Sequence, residues 1–403
     1  MTEILIIGGG ASGMAAAVSA ADTGAGHVTL LERQARVGRK LLSTGNGRCN
    51  LTNTDLDIRR YHGTDPGFAE PALERFGPRE TLDFFAGLGL LTEEEYGGRV
   101  YPMSNQANSV VDTLRFALDE RGVEVITGAA VESVKREKGG FTVSWDGGER
   151  RCDRLIVACG GCAGSKLGGV MDGYNILKSL GHSRTALHPA LTQVRTDTLY
   201  PRALKGIKAE AGVKVLRGSR TIAERRGELL FTETGVSGTV IFELSRAVAT
   251  GGEGLELSLD FFPDRSGDFV VRYLQSKAEA GSALPANQIF TGTVHNRLGQ
   301  MLCKAAGIDG NLACAGLERR QLEAAARMAK DFRLKITGVS GFESAQVTAG
   351  GISTAEFDPY TLESRLVPGL YACGEVLDID GDCGGYNLQW AWASGRTAGR
   401  IGK

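Results

Sequence analysis

The stretch ILIIGGGASGMAAA, Ile4–Ala17, decides the fold. Four apolar residues, read as a short buried strand, run into three glycines at G-x-G-x-x-G spacing, Gly8, Gly10 and Gly13, and then into a helix of small residues, Ala11–Ala21. In a dinucleotide turn, Gly8 makes the tight bend, Gly10 lets the backbone approach a pyrophosphate, and Gly13 lets helix and strand pack closely. The helix start, with Ala11 and Ser12 between the last two glycines, offers free N–H groups and a partial positive charge to phosphate. A second strand, Val28–Leu31, ends at Glu32, nineteen residues beyond Gly13. An acid there accepts hydrogen bonds from an adenosine ribose and repels a 2′-phosphate; the plainer alternative is a surface residue. This turn by itself suits NAD and FAD equally.

At 403 residues the chain exceeds one ordinary core, so two or three packed units are expected. With 42% hydrophobic and 23% charged residues and a net charge of −1, the chain reads as a globular protein without a field for nucleic acid or anionic membrane. Its 57 glycines suit tight turns and close backbone approach to a ligand. The N-terminal apolar run is too short and lacks the basic flank of a signal sequence, and no run approaches the roughly 18 apolar residues of a membrane span. Eight cysteines do not make a disulfide scaffold in a chain of this size. Cys159 and Cys162 form a C-x-x-C, but no second pair stands at metal spacing. No metal is expected, and reduced thiols in the cytoplasm are the reading adopted.

Along the chain, helical stretches fall around Pro66–Leu88 and in NSVVDTLRFALDERG, and a strand and hairpin follow with Gly139–Gly140 as the turn. DRLIVACGG is a further buried strand. From about His188 short alternating runs suggest antiparallel strands, and from Gly267 the pattern turns helical before strands and a last helix return. The expected fold class is α/β: a discontinuous Rossmann-like domain, 1–187 and 342–403, interrupted by a β-rich, barrel-like unit at 188–266 and a small helical unit at 267–341. The basic run between Arg195 and Arg226 reads as a solvated face of the β unit, with an anion-docking surface as the alternative.

Four blocks carry a resemblance: IIGGGASGMAAA, GRKLLSTGNGRCNLTN, GELLFTETGVSG, and VTAGGIS with TLESRLVPGLYACGEVLDIDGDCGGYNLQWAWASGRTAG. On these the chain resembles the two-dinucleotide-binding-domain flavoproteins, and within them the bacterial family of bile-acid-inducible N-type reductases and aminoacetone oxidases. The resemblance implies FAD bound across the first and last blocks. It implies Gly8, Gly10, Ala11, Ser12, Gly13, Glu32 and Arg33 at the adenosine and pyrophosphate end, and Ala130 and Val131 beside the adenine. It also implies Cys159, Gly160 and Gly161 at a small-residue strand end, with Cys159 where threonine is more usual. Arg39 and Lys40 can neutralise pyrophosphate, and the loop containing Gly45 and Asn46 can wrap the flavin edge, continued by Arg48, Cys49 and Asn50.

The C-terminal block has its own physical reading. Gly374 and Glu375 end a strand where an amide and a carboxylate can hold the ribityl and pyrophosphate region. Asp378, Asp380 and Asp382 would be costly facing phosphates, so they are expected to bond loop amides and cap the next helix. Gly385, Tyr386, Asn387 and Leu388 then present a helix start suited to negative charge on a reduced flavin. Trp390 and Trp392 cannot share a helix face, so at least one is core and a substrate stack is the minority reading for the other.

The expected activity is that of an FAD-dependent oxidoreductase acting on a small molecule. NAD(P)H would visit transiently, since no second G-x-G-x-x-G is present, and the reaction would reduce a conjugated C=C in a bulky, apolar, steroid- or bile-acid-like enone. Alternatives are an FAD-dependent amine oxidase using O2 and a non-catalytic, redox-sensing FAD module. No catalytic acid or base is assigned; of the five histidines His188 is the best placed, and Tyr386 and Asn387 are candidates to touch both flavin and substrate.

Overall fold

Ile4–Ile7 is apolar without alternation because both faces of its strand are covered. In a computed structural model of the chain, which describes residues 2–280 and 284–401, Thr2–Ile7 is the middle strand of a five-stranded parallel sheet. The order is Leu370–Ala372, Arg154–Val157, Thr2–Ile7, Gly26–Glu32, Glu124–Thr127. One edge strand therefore comes from the end of the chain, which returns to the sheet it began. Two compact units result, Met1–Pro189 with Phe342–Lys403, and Ala190–Gly341.

In the first unit the N-terminal helix, Ala11–Thr23, is buried from Ser12 to Ala20. Its small residues let the C-terminal helix, Tyr386–Ala398, come within backbone contact. A Cβ on Gly395 would lie 2.3 Å from the Ser12 carbonyl oxygen, and one on Gly399 2.3 Å from that of Ala16. Ser19 Oγ adds a bond to the Arg396 carbonyl at 2.8 Å. The expected hairpin is part of a three-stranded antiparallel sheet, Val131–Glu137, Gly140–Trp145 and Gly148–Cys152. A second small sheet, in which Arg99–Pro102 pairs with both Thr52–Asn53 and Thr92–Glu95, carried no alternating pattern to announce it.

The second unit is built on a closed six-stranded barrel. Its closing strand, Phe332–Val339, follows the helices Gly267–Ala280, Asn296–Ala305 and Arg319–Lys330, so barrel and helices share one hydrophobic core. Phe332 anchors that closure against Tyr200 and Phe261 at ring distances of 5.0 and 6.1 Å. Cations of the basic run are matched by acids: Lys208 with Glu228 at 3.0 Å, Lys214 with Glu224 at 3.5 Å, Arg226 with Asp264 at 2.5 Å.

Among the described residues all eight cysteines are free thiols, no group of acids, histidines and cysteines could hold a metal ion, and no helix is long and apolar enough to cross a membrane.

His182 is buried against Phe357, with Nδ1 2.9 Å from Glu356 and Nε2 3.0 Å from Ser364 Oγ. Burial lowers its pKa, and Glu356 offsets only part of that. Around Glu356, burial is outweighed by bonds from Ser183 and His182, which hold its carboxyl below the usual range. Just below the ordinary histidine value of about 6.5, the unfolded chain therefore takes up a proton that the folded chain refuses. This contribution to stability is complete above that pH and is lost as pH falls below it, and the Glu356 contribution is lost lower still. Melting temperatures measured from pH 7.5 to 5.5 should fall in the wild type and fall less in His182→Gln.

Candidate cofactor site

The glycine turn has the geometry its spacing requires. Gly8 has φ 110°, its N–H donates to the Leu31 carbonyl at 2.8 Å, and a Cβ there would stand 2.4 Å from the Ala158 carbonyl oxygen. A Cβ on Gly13 would lie 1.8 Å from the Gly8 carbonyl oxygen. Gly10 differs: nothing stands within 4 Å of the place a Cβ would take. Gly10 caps the helix with no side-chain bond, and the first intrahelical bond is from Met14 N–H to the Gly10 carbonyl at 3.0 Å. The N–H groups of Ala11, Ser12 and Gly13 are thus left without an intrahelical partner.

Glu32 ends its strand 9% exposed, accepting from Gly9 N–H at 2.8 Å and Gln34 N–H at 2.7 Å. One bond to each oxygen leaves further lone pairs for hydroxyl groups. Ala129 N–H donates to the Glu32 carbonyl at 2.9 Å, which brings Ala130 and Val131 beside it. The nearby cations have protein partners: Arg33 pairs with Asp172 at 2.9 Å, and Arg39 donates to Gln34 at 2.6 Å. Lys40 Nζ lies 2.7 Å from Glu375 Oε2, an ion pair between residues 335 apart in sequence. Glu375 Oε1 also accepts from Thr348 N–H at 2.7 Å, and a Cβ on Gly161 would meet it at 2.9 Å. Gly374, at φ 77°, has its N–H on Ser394 Oγ at 2.9 Å, and a Cβ there would meet Ser12 Oγ at 2.4 Å. First and last blocks thus meet at Gly374–Glu375. Cys159 Sγ is 3.5 Å from the Ile7 carbonyl, and burial pushes its pKa up; the Cys49 thiol is pushed up to about 12 by the same cause. Neither has the character of a reactive thiolate.

The C-terminal helix offers a second free start. Gly385 has φ 108°, and a Cβ there would stand 2.5 Å from the Thr52 carbonyl. The first intrahelical bond is from Gln389 N–H to the Gly385 carbonyl at 2.9 Å, leaving the N–H groups of Tyr386, Asn387 and Leu388. The expected acidic cap is corrected here, since no side chain caps this helix. Asp378 accepts from Thr64 N–H and Oγ1 at 3.1 and 2.6 Å, and Asp382 lies 2.7 Å from His62 Nε2 and 3.4 Å from Arg60. Buried carboxylates require partners, and Arg60–Thr64 provides them because Tyr61–His62 pairs antiparallel with Asp380–Gly381.

Tyr386 and Asn387 also turn inward. Tyr386 OH donates to the Asp55 carbonyl at 3.1 Å, and the Asn387 carboxamide bonds both the N–H and the carbonyl of Gly381, at 2.8 and 2.7 Å. Their backbone N–H groups have no intrahelical partner. Both tryptophans are core, which overturns the substrate-stack alternative. Trp390 Nε1 donates to the Gly374 carbonyl and Trp392 Nε1 to that of Leu51, at 3.2 and 2.9 Å.

Two residues were not foreseen, and a third, Asn50, was expected only as part of the wall at the flavin edge. Gln389, fully buried, accepts from Thr52 and Thr81 hydroxyls at 2.6 and 2.9 Å and donates to the Phe76 carbonyl at 2.6 Å. Ser394 holds Gly374, and Asn50 has a buried carboxamide oxygen with no hydrogen-bond partner. The only sequence signal for the first two is a polar side chain on the buried face of an apolar helix.

These residues fit a dinucleotide. Three free N–H groups above an open Gly10 suit phosphate, and three more at Tyr386–Leu388 suit an electron-rich carbonyl. Ser12 lies level with Gly395, nine residues into the C-terminal helix, so the two starts are about 13 Å apart along it. An elongated ligand can span that separation.

The HI0933-like protein Rossmann domain matches residues 2–401. The chain is 41% identical to the 3-dehydro-bile acid delta(4,6)-reductase of Clostridium scindens, over 99% of this chain and 98% of that one. It is 31% identical to the ribosomal RNA dihydrouridine synthase of Escherichia coli, over 97% and 96%. A solved 3-ketosteroid delta1-dehydrogenase from Sterolibacterium denitrificans has a TM-score of 0.53 at 13% identity, over 99% and 98% of the two chains, which shows a shared fold. The chain belongs to the HI0933-like Rossmann family, and it is an FAD-binding oxidoreductase of that family.

Proposed function

We propose that this protein reduces a carbon–carbon double bond conjugated to a carbonyl in a bulky, apolar, steroid- or bile-acid-like small molecule, with NAD(P)H as a transient donor. The observation that carries the reading is the pair of uncapped helix starts in one unit, at Ala11–Gly13 and Tyr386–Leu388. The 41% identity to a protein named as a bile-acid reductase supports the substrate class. Bound FAD would supply hydride transfer. Around it, the Ala11–Gly13 amides would hold pyrophosphate, Glu32 the ribose, and Ala130 and Val131 the adenine. The Tyr386–Leu388 amides would hold negative charge at the pyrimidine edge. Lys40–Glu375, tied to Thr348 and Gly161, would position the middle of the cofactor. A cytoplasmic location accords with the free thiols.

The Escherichia coli relative is named for a reaction on uridine, whose ring double bond is also conjugated to a carbonyl. RNA is disfavoured for this chain by its net charge of −1 and by the acid partners of the barrel cations. The test is anaerobic. Purified yellow protein should be bleached by NADH or NADPH, and its colour should return on adding a Δ4- or Δ4,6-3-keto steroid. Bleaching by a small amine with peroxide formed in air would instead identify an oxidase. Reduction of uridine in unmodified ribosomal RNA, with no response to the steroids, would overturn the small-molecule reading.

A further inference from the structure

Residues 50–53 lie against the start of the C-terminal helix, and three of them are used to hold it. The Leu51 carbonyl accepts from Trp392 Nε1 at 2.9 Å, Thr52 Oγ1 donates to Gln389 at 2.6 Å, and Asn53 Nδ2 donates to the Gly384 carbonyl at 2.9 Å. Asn50 is the exception. The residue is 9% exposed, and its Oδ1 is buried without a hydrogen-bond partner. A Cβ built on Gly385 would lie 3.1 Å from that oxygen, so the carboxamide stands at the residue that opens the helix. Native folds seldom leave a buried carboxamide oxygen unpaired unless something else supplies its partner. The chain reaches this position at some conformational cost: Cys49, buried and not glycine, has φ 64°, and Asn46 has φ 56°. Such strain persists only where the surroundings impose it.

A carboxamide offers an acceptor and a donor side by side. The pyrimidine ring of a flavin presents the complementary edge, an imide N–H between two carbonyls. We propose that Asn50 holds that edge, its oxygen accepting from the imide N–H while the Tyr386–Leu388 amides donate to the neighbouring carbonyl. The carboxamide then fixes the in-plane orientation of the ring, which helix-start amides alone would leave free to rotate. Asn50 is in this sense a cofactor-orienting residue, and the assignment rests on the flavoprotein reading above.

The test uses the full chain, stripped and reloaded with FAD carrying nitrogen-15 at the imide position. In Asn50→Ala, FAD affinity should fall about tenfold, the loss of roughly one good hydrogen bond, and the imide N–H should exchange faster with solvent and shift its resonance. In Asn50→Asp, which keeps the size and an acceptor, the imide N–H should stay protected and its deprotonation, followed in the visible spectrum, should move to higher pH. If Asn50→Ala does not fold, the aspartate variant decides. An imide resonance and exchange rate unchanged in Asn50→Ala, or an imide deprotonation that does not move in Asn50→Asp, would overturn the assignment, whether or not affinity falls, because a merely structural asparagine would leave the imide N–H untouched. Failure of the wild type to take up FAD would instead sink the flavoprotein reading itself.

Discussion

Gly10→Ala and Gly13→Ala should both weaken FAD binding by about a hundredfold, and only the second should lower the melting temperature of the cofactor-free protein. The two glycines sit three residues apart in one turn but do different things. A methyl on Gly13 meets the Gly8 carbonyl oxygen at 1.8 Å, so the helix must move off its strand whether or not a ligand is present. Overpacking of that kind costs about 1–3 kcal/mol, and the displaced amides no longer converge on one point. A methyl on Gly10 meets nothing within 4 Å, and the φ of −81° is one that alanine adopts without strain. Its only conflict is with a group brought close to the turn. Melting curves of the apoprotein, set beside quenching of FAD fluorescence on titration, separate the two effects. A Gly10→Ala protein that binds FAD as the wild type does would mean that the open face of this turn is not where the phosphates lie.

The second large effect is expected at Gln389→Met. The replacement keeps the length of the side chain and removes all three of its bonds, stranding the hydroxyls of Thr52 and Thr81 and the carbonyl of Phe76 in the core. Leaving one buried polar group unsatisfied costs about 1–3 kcal/mol, and rotation of the two hydroxyls recovers part of the loss, so about 3–5 kcal/mol is expected. All three tryptophans, Trp145, Trp390 and Trp392, belong to the first unit. The urea midpoint of tryptophan fluorescence therefore reports on that unit, and it should fall clearly in the variant. An unmoved midpoint would show that Gln389 does not tie the helix start to residues 52–81. Because these residues also back the Gly385 turn, FAD affinity should fall with it.

Local spacing carried what local physics controls. Gly8, Gly10, Gly13 and Glu32 lie within 25 residues of one another, and each role, a bend, an open approach, a close packing, an acid at a strand end, follows from backbone geometry over that span. The parallel sheet was legible in the unbroken apolar run of Ile4–Ile7, since a strand covered on both faces cannot alternate. The barrel was legible only as short strands, because its closing member, Phe332–Val339, follows three helices.

Where reading by spacing went astray, the deciding partner lay far off in the chain. Asp378 and Asp382 looked like caps for the helix they precede, yet their partners, Thr64, His62 and Arg60, stand more than 300 residues earlier. The pairing of Lys40 with Glu375, 335 residues on, was likewise invisible to spacing. What sequence alone determined is the pair of helix starts and the glycines that leave them open, because those depend on residues within a turn or two. Tertiary structure alone decided which polar side chains are already committed, Gln389 and Asn387 to the scaffold, while the Asn50 carboxamide oxygen has no partner among the described residues. The reason is that a hydrogen bond is made by proximity in space, and burial allows no substitute from water when a partner is missing.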